Sequence, residues 1–209
     1  MFLTGFADEA ADGVEGQIRA TKLLGWKYIE CRGFNGKQLY DLKPPEYKAV
    51  ADALDKAEIR VNCLGSAIAN WSKQITDTFE TSVDETKRAI AACKPLGISR
   101  VRIMSYAVRY SENKRALDDQ MSEERFRRLR EIINRFADNG IEAVHENCMN
   151  YGGMGWPMTM ELVAGVPGLK LLFDTGNPVF TPDYTEPAPR PMQNALDFYR
   201  RVREHENRA

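Results

Sequence analysis

The sequence is poor in the residues that build disulfide frameworks and zinc clusters. It contains four cysteines and two histidines among 209 residues. The cysteines show neither CxxC nor zinc-ribbon spacing, which predicts buried free thiols in a reducing compartment; they are Cys31, Cys63, Cys93 and Cys148. No apolar run is long enough to cross a bilayer, and the N-terminal residues turn polar too soon for a signal peptide. These absences predict a cytoplasmic protein.

An excess of charge of either sign is also lacking. The 29 basic and 30 acidic residues give a formal net charge of -1. No broad positive field is therefore available to hold a nucleic-acid backbone. We expect no nucleic-acid or membrane partner, and a small neutral or anionic metabolite as the ligand.

What the sequence does contain is a pair of apolar stretches that each finish on an acid. Residues 141–147 and 169–177 both follow a glycine that ends a helix, and they reach Glu146 and Asp174 where the apolar residues stop. Neighbouring parallel strands would bring both carboxylates to the edge of the sheet where α/β proteins carry their chemistry. Taken singly, each acid is better explained as a cap of the following loop. Taken as a pair, they favour a functional site.

Strand and helix patterns alternate along the whole chain. Strands are predicted at residues 2–6, 27–32, 59–64, 100–104, 141–147 and 169–174. Helices are predicted at residues 13–24, 44–56, 80–95 and 122–138, followed by a short helix that ends at residue 165 and a last one after residue 191. This alternation is typical of a parallel sheet wrapped by helices. With 43% hydrophobic residues and no linker, residues 1–209 are predicted to form one domain.

Residues 122–138 form the most clearly amphipathic segment, with apolar side chains at helical spacing. A cluster of arginines on such a helix could bind phosphate or nucleic acid. Glutamates interleave with the arginines, however, so we expect a solvated outer face held by ion pairs. The side chains predicted to face mostly away from the core are Arg125, Arg127, Arg128, Arg130 and Arg135.

Two motifs, His145-Glu146-Asn147 and Phe173-Asp174-Thr175-Gly176-Asn177, carry a resemblance to a known family. Weaker matches are Gly5-Phe6-Ala7-Asp8-Glu9, Tyr28-Ile29-Glu30 and Cys63-Leu64-Gly65-Ser66. The whole chain resembles the xylose-isomerase-like TIM barrels described as sugar phosphate isomerases and epimerases. The resemblance implies an α/β fold, a TIM (β/α)8-type barrel, of which this chain would supply about six βα units.

The resemblance also implies a metal site. In that family a divalent ion is held by a glutamate, an aspartate, a histidine and a glutamate from strands five to eight, and Glu146 and Asp174 match the first two ligands. The sequence ends before the last two, so we expect a fragment or a truncated relative, with completion by another chain as the alternative. Hard oxygen ligands favour Mn²⁺ or Mg²⁺, although Zn²⁺ and Co²⁺ also bind carboxylates.

The scarcity of histidine separates this chain from one branch of the family. AP-endonuclease barrels bind several zinc ions through many histidines, one of them three residues after the strand-six aspartate. Here that position is Asn177, and the only histidines are His145 and His205. A multi-zinc DNA-repair site is therefore excluded. His145 alternates to the opposite side of its strand from Glu146, and we expect it to be structural.

By this resemblance the chain is a sugar isomerase or epimerase that moves a proton on a carbon next to a carbonyl, through an enediolate. Glu146 would be a catalytic acid/base as well as a metal ligand. One alternative is an inactive truncated barrel that binds a sugar or forms a homo-oligomer through open sheet edges. A second alternative is a metal-dependent hydrolase or lyase on the same scaffold.

Five residues are candidates for binding a sugar or sugar phosphate. Glu30 ends a predicted strand, where the alternative is a pair with Arg32 or Arg102. Asn147 and Asn177 offer neutral hydrogen-bonding groups at the expected site, where the alternative is to fix loops. Trp71 and Trp156 lie in predicted loops and could form an apolar wall against a sugar ring, or could simply anchor those loops.

Overall fold

A computed structural model describes residues 2–206, with side chains described through residue 204, so the side chain of His205 lies outside the described residues. Within this range the chain forms seven strands: β1 (Tyr28–Cys31), β2 (Gly33–Phe34), β3 (Lys37–Gln38), β4 (Arg60–Gly65), β5 (Arg100–Ile103), β6 (Glu142–Glu146) and β7 (Lys170–Leu172). Five of them make one parallel sheet in the order β1-β4-β5-β6-β7. The other two form a short antiparallel hairpin after β1. No pairing among the described residues joins β1 to β7, so the barrel is not closed.

The helices follow the strands as predicted. The described residues form α1 (Val14–Leu23), α2 (Pro44–Lys56), α3 (Phe79–Cys93), α4 (Ser122–Ala137), α5 (Trp156–Gly165) and α6 (Ala195–Glu206). Helices between successive parallel strands supply the crossovers that such a sheet requires. None of these helices is long and apolar enough to span a membrane.

A glycine lies three residues past the end of each helix that precedes β6 and β7. Gly140 has φ 70° and Gly168 has φ 87°, which is the left-handed region that side chains with a Cβ disfavour. After α4 the chain reverses there, with the Gly140 N–H donating to the Ala137 carbonyl at 2.9 Å. Both strands that lead to the acids therefore start two residues after a glycine in the left-handed region.

The expected first strand is not formed. Residues 2–6 contribute one parallel bridge, from Phe6 to Glu30, and one further bond from the Glu30 N–H to the Gly5 carbonyl at 2.8 Å. Pairing stops because the chain enters a 3-10 helix at once (Ala7–Glu9). The Phe6 ring instead packs beneath the guanidinium of Arg32, 4.5 Å from its centroid.

The sheet has two chemically different faces. On the outer face, Val101 and Ile103 of β5 and His145 of β6 are fully buried against the helices. The amphipathic prediction for α4 is confirmed on its apolar side, because its inward stripe is buried; these residues are Phe126, Leu129, Ile132, Ile133 and Phe136. The inner face carries charged side chains instead, which places polar chemistry on that side.

The arginines of α4 were expected to be solvated, and for two of them that expectation is wrong. Arg125 is 0% exposed and Arg128 is 8% exposed. Arg125 donates to the carbonyls of Gln120, Ser105 and Ala107 at 2.6, 2.5 and 2.8 Å. The loop between β5 and α4 needs these donors, because the residues that carry the carbonyls are buried. Arg127 and Arg135 remain at the surface, paired with Glu124 and Glu131.

Replacing Arg125 tests this role. Arg125→Met should lower the free energy of unfolding by about 2–4 kcal/mol, because it leaves buried carbonyls without donors. Arg127→Met, on the same helix but half-exposed, should cost less than about 1 kcal/mol. Urea unfolding measures both. Equal stability of the two variants would contradict the anchoring role of Arg125.

Candidate functional site

Two carboxylates lie at the C-terminal edge of the inner face. Glu146 is the last residue of β6 and is paired in register with Leu172, the last residue of β7. Asp174 follows two residues later. Because side chains alternate along a strand, Asp174 continues on the face of Leu172, which is also the face of Glu146. The register thus directs both acids to the same side of the sheet.

Asn177 connects the two carboxylates directly. Its side-chain Nδ2 donates to Glu146 Oε1 at 3.1 Å, and its backbone N–H donates to Asp174 Oδ1 at 2.8 Å. Asp174 Oδ1 also accepts from the Gly176 N–H at 2.7 Å. One oxygen of Asp174 therefore accepts the bonds that close the turn after β7. Asn177 is hydrogen-bonded to both acids.

Asn147 locks the two strand ends together. Its Oδ1 accepts from the Asp174 N–H at 2.6 Å, and its Nδ2 donates to the Asp174 carbonyl at 2.9 Å. These two hydrogen bonds continue the connection between the β6 and β7 segments beyond the last paired residues of the strands. The amide of Asn147 is engaged with the backbone, in agreement with the loop-fixing alternative, while its proposed contact with substrate stays a prediction.

Arg102 was considered from the sequence only as a partner of Glu30, and the structure pairs it with Glu146 instead. Its Nη1 lies 2.7 Å from Glu146 Oε2, and the two side chains are only 10% and 7% exposed. Its Nη2 donates to the Ser66 carbonyl at 3.0 Å. Arg102 pairs in register with Val144, two residues before Glu146 on the neighbouring strand. An arginine on the adjacent strand, at a position whose side chain faces the same side of the sheet as Glu146, is the signal that could have revealed the pair.

His145 lies on the opposite face from Glu146, as its position in the strand predicted. It is 0% exposed, and its Nε2 lies 3.0 Å from the Ser105 hydroxyl. Burial lowers the pKa of its imidazole to about 4, although the nearby Asn150 side chain acts in the opposite direction. Among the described residues, its Nδ1 has no hydrogen-bond partner. His145 is thus a neutral side chain of the core.

Three other predicted residues lie elsewhere in the fold. Glu30 is on β1, with β4 and β5 between it and β6, and it accepts from Asn62 Nδ2 at 2.7 Å. Trp71 is 52% exposed in the loop after β4. Trp156 begins α5, and the guanidinium of Arg201 lies 5.5 Å from its ring centroid. In the described part of the chain, hydrogen bonds join Glu146, Asp174 and both asparagines, whereas none links Glu30 to these residues, and the roles of Glu30, Trp71 and Trp156 stay predictions.

Comparison with known proteins identifies the family. The sequence profile described as xylose isomerase-like TIM barrel matches residues 18–202, which is most of the chain. This chain belongs to the xylose isomerase-like TIM barrel family. No curated protein sequence matches it.

Solved structures agree with the family in fold. The probable 3-DHS dehydratase involved in petrobactin synthesis from Bacillus anthracis is 15% identical, with a TM-score of 0.68, and the match covers 98% of this chain and 70% of that one. A family protein from Mycobacterium smegmatis, in complex with magnesium, is 16% identical at a TM-score of 0.69, covering 96% and 71%. A D-allulose 3-epimerase from Methylomonas sp., in complex with D-allulose, is 16% identical at 0.61, covering 84% and 62%. The chain therefore spans less than two thirds of that epimerase.

The donor set at this edge fits a family metal ion only in part. Glu146 and Asp174 are hard oxygen donors on one face, which suits Mg²⁺ or Mn²⁺. No group of three His, Cys, Asp or Glu side chains that could hold an ion occurs among the described residues. Both oxygens of Glu146 are also engaged, by Arg102 and Asn177. The described part of the chain thus offers two ligands, one of which already faces a positive charge.

Burial of His145 should make the stability of the fold depend on pH. An imidazole with its pKa lowered from 6.5 to about 4 stays neutral when folded but binds a proton when unfolded. Stability should therefore be full above pH 6.5 and fall by up to about 3 kcal/mol as the pH drops toward 4. His145→Gln, which does not titrate, should lose most of this dependence. Urea unfolding between pH 7.5 and 4.5 measures both proteins, and identical slopes would show that His145 titrates normally in the folded state.

Proposed function

We propose that this chain acts as a sugar isomerase or epimerase, moving a proton on a carbon next to a carbonyl through an enediolate. The observation that carries the proposal is the convergence of Glu146 and Asp174 on one face, with Asn177 bonded to both. The likeness in fold to an epimerase solved with D-allulose supports a small sugar, or sugar phosphate, as the substrate.

Glu146 is the proposed catalytic acid/base. The proton next to a carbonyl leaves too slowly without a positioned base, so the carboxylate must be held in one orientation. Arg102 and Asn177 each bond one of its oxygens and so fix that orientation. Each oxygen has a second acceptor position, which leaves Glu146 able to take a proton from a substrate carbon on the inner face.

A divalent cation, with Mn²⁺ or Mg²⁺ favoured, is part of the proposal. Glu146 and Asp174 would hold it, with the remaining ligands supplied from outside the described residues. When bound, such an ion stabilises the negative charge that develops on enediolate oxygens. A family member solved with magnesium supports this choice of cofactor.

The remaining substrate contacts stay predictions. Asn177 is the best placed of the five, because its side chain lies at the carboxylate that would act on the sugar. Asn147 is beside Asp174, but its amide is bonded to the backbone of that residue. Contact with Glu30, Trp71 or Trp156 would need a substrate that extends along the mouth of the sheet. We propose that the chain is one domain that binds the sugar, and that the protein is cytoplasmic. Any homo-oligomer would form through β7, a strand at the edge of the sheet.

A lyase that removes water is the second candidate function. It is favoured by the dehydratase fold neighbour, whose match covers 98% of this chain, compared with 84% for the epimerase. The same buried carboxylate could take the proton next to a carbonyl and so begin an elimination. A panel that contains ketohexoses and 3-DHS distinguishes the two functions by product. Turnover of none of them would favour the non-catalytic alternative.

Glu146→Gln tests the proposed function. The variant keeps the size of the side chain but removes the base, so kcat/KM should fall by about 10²- to 10⁴-fold. Incorporation of solvent deuterium next to the carbonyl, followed by NMR, should fall in parallel. The matched control is Glu142→Gln, on the same strand and face but 41% exposed and paired with Arg100; it should retain activity within about threefold. Undiminished deuterium exchange in Glu146→Gln would reject Glu146 as the base.

A further inference from the structure

Arg102 supplies a buried positive charge at the carboxylate assigned to catalysis. Its Nη1 lies 2.7 Å from Glu146 Oε2, and neither side chain is more than 10% exposed. The rest of the guanidinium is held by the Ser66 carbonyl, 3.0 Å from Nη2, and by the Phe6 ring, 5.4 Å from its centre. Among the described residues, the buried Nε has no hydrogen-bond partner. This arginine is therefore positioned by groups other than Glu146 as well.

A neighbouring pair shows that burial distinguishes this contact. Arg100 and Glu142 lie on the same two strands and the same face, and they pair at 2.9 Å. Those side chains are 44% and 41% exposed, so water screens their charges. Water has little access to Arg102 and Glu146, and the field of the guanidinium at that carboxylate is correspondingly stronger.

A second cation at Glu146 would meet this field. The carboxylate has one negative charge, which the guanidinium already balances, and a divalent ion held by Glu146 would have to share that carboxylate with Arg102. Like charges at such a separation repel strongly in a buried site. Asp174 and ligands from elsewhere would have to offset that repulsion.

We infer that Arg102 occupies the position of a counter-cation at Glu146, and that a divalent ion binds this edge only in competition with it. The inference rests on the proposed function, because it concerns the same carboxylate. Arg102 is in this view a positioning residue, which keeps Glu146 oriented when no ion is bound. Its contacts with Ser66 and Phe6 hold the guanidinium beside Glu146, so an ion that reaches this carboxylate has to overcome the repulsion of a fixed positive charge. The pair thus sets the metal affinity of the site.

Calorimetric titration of the purified chain with Mn²⁺ tests the competition. Arg102→Met and Arg102→Gln remove the charge, and each should bind Mn²⁺ at least about tenfold more tightly than the unchanged chain. Arg100→Met removes the screened charge two residues away and should change the affinity less than about twofold. The double variant Arg102→Met/Glu146→Gln should lose the gain, since the ion then lacks its carboxylate.

Thermal unfolding with and without Mn²⁺ gives a second measurement, in case a variant is unstable alone. Mn²⁺ should raise the Tm of Arg102→Gln by more than that of the unchanged chain. Equal or weaker binding in both Arg102 variants would overturn the inference, and so would the absence of Mn²⁺ binding in every variant. Neither result would touch the proton-transfer proposal, which depends on deuterium exchange. If Glu146→Gln loses exchange while the Arg102 variants bind Mn²⁺ as the unchanged chain does, the proposed function is upheld and the competition is rejected.

Discussion

The pairing of β6 with β7 is the constraint on which the site depends. Its register sets Glu146 opposite Leu172, and the two bonds between Asn147 and the Asp174 backbone hold that register past the end of the ladder. A slip by one residue would turn Asp174 to the helix-covered face and separate it from Glu146. Gly140 and Gly168 precede the two strands at the opposite edge of the sheet, and their turns help to set where each strand begins.

The inner face of the sheet differs from the outer face in the charges that it carries. The outer face is apolar and packs under helices, whereas the inner face carries Arg102 and Glu146 with little access to water. Charges in such surroundings act strongly on one another and on a bound molecule. Under the proposed function, the burial that makes Glu146 an effective base also strengthens its interaction with Arg102. Glu146 is consequently best understood together with Arg102 and Asn177.

Much of this arrangement could be predicted from the sequence, because it depends on local periodicity. Five strands, the six helices and the family resemblance were predicted, and the alternation of side chains gave opposite faces to His145 and Glu146. The features that the sequence did not predict correctly depend on contacts between segments that are distant in the chain. The first strand gave way to a 3-10 helix after one bridge, and Arg125 entered the core to satisfy carbonyls of a loop that no pattern described. The pairing of Arg102 with Glu146 likewise required knowing which strands are neighbours.

The central claim is that Glu146 and Asp174 together form one cation site. The most direct measurement is anomalous diffraction from crystals of the chain soaked in excess Mn²⁺. The account predicts one anomalous peak in contact with a carboxylate oxygen of Glu146 and one of Asp174. An anomalous map with no peak between them, or crystal coordinates that put the two side chains on opposite faces of the sheet, would contradict it.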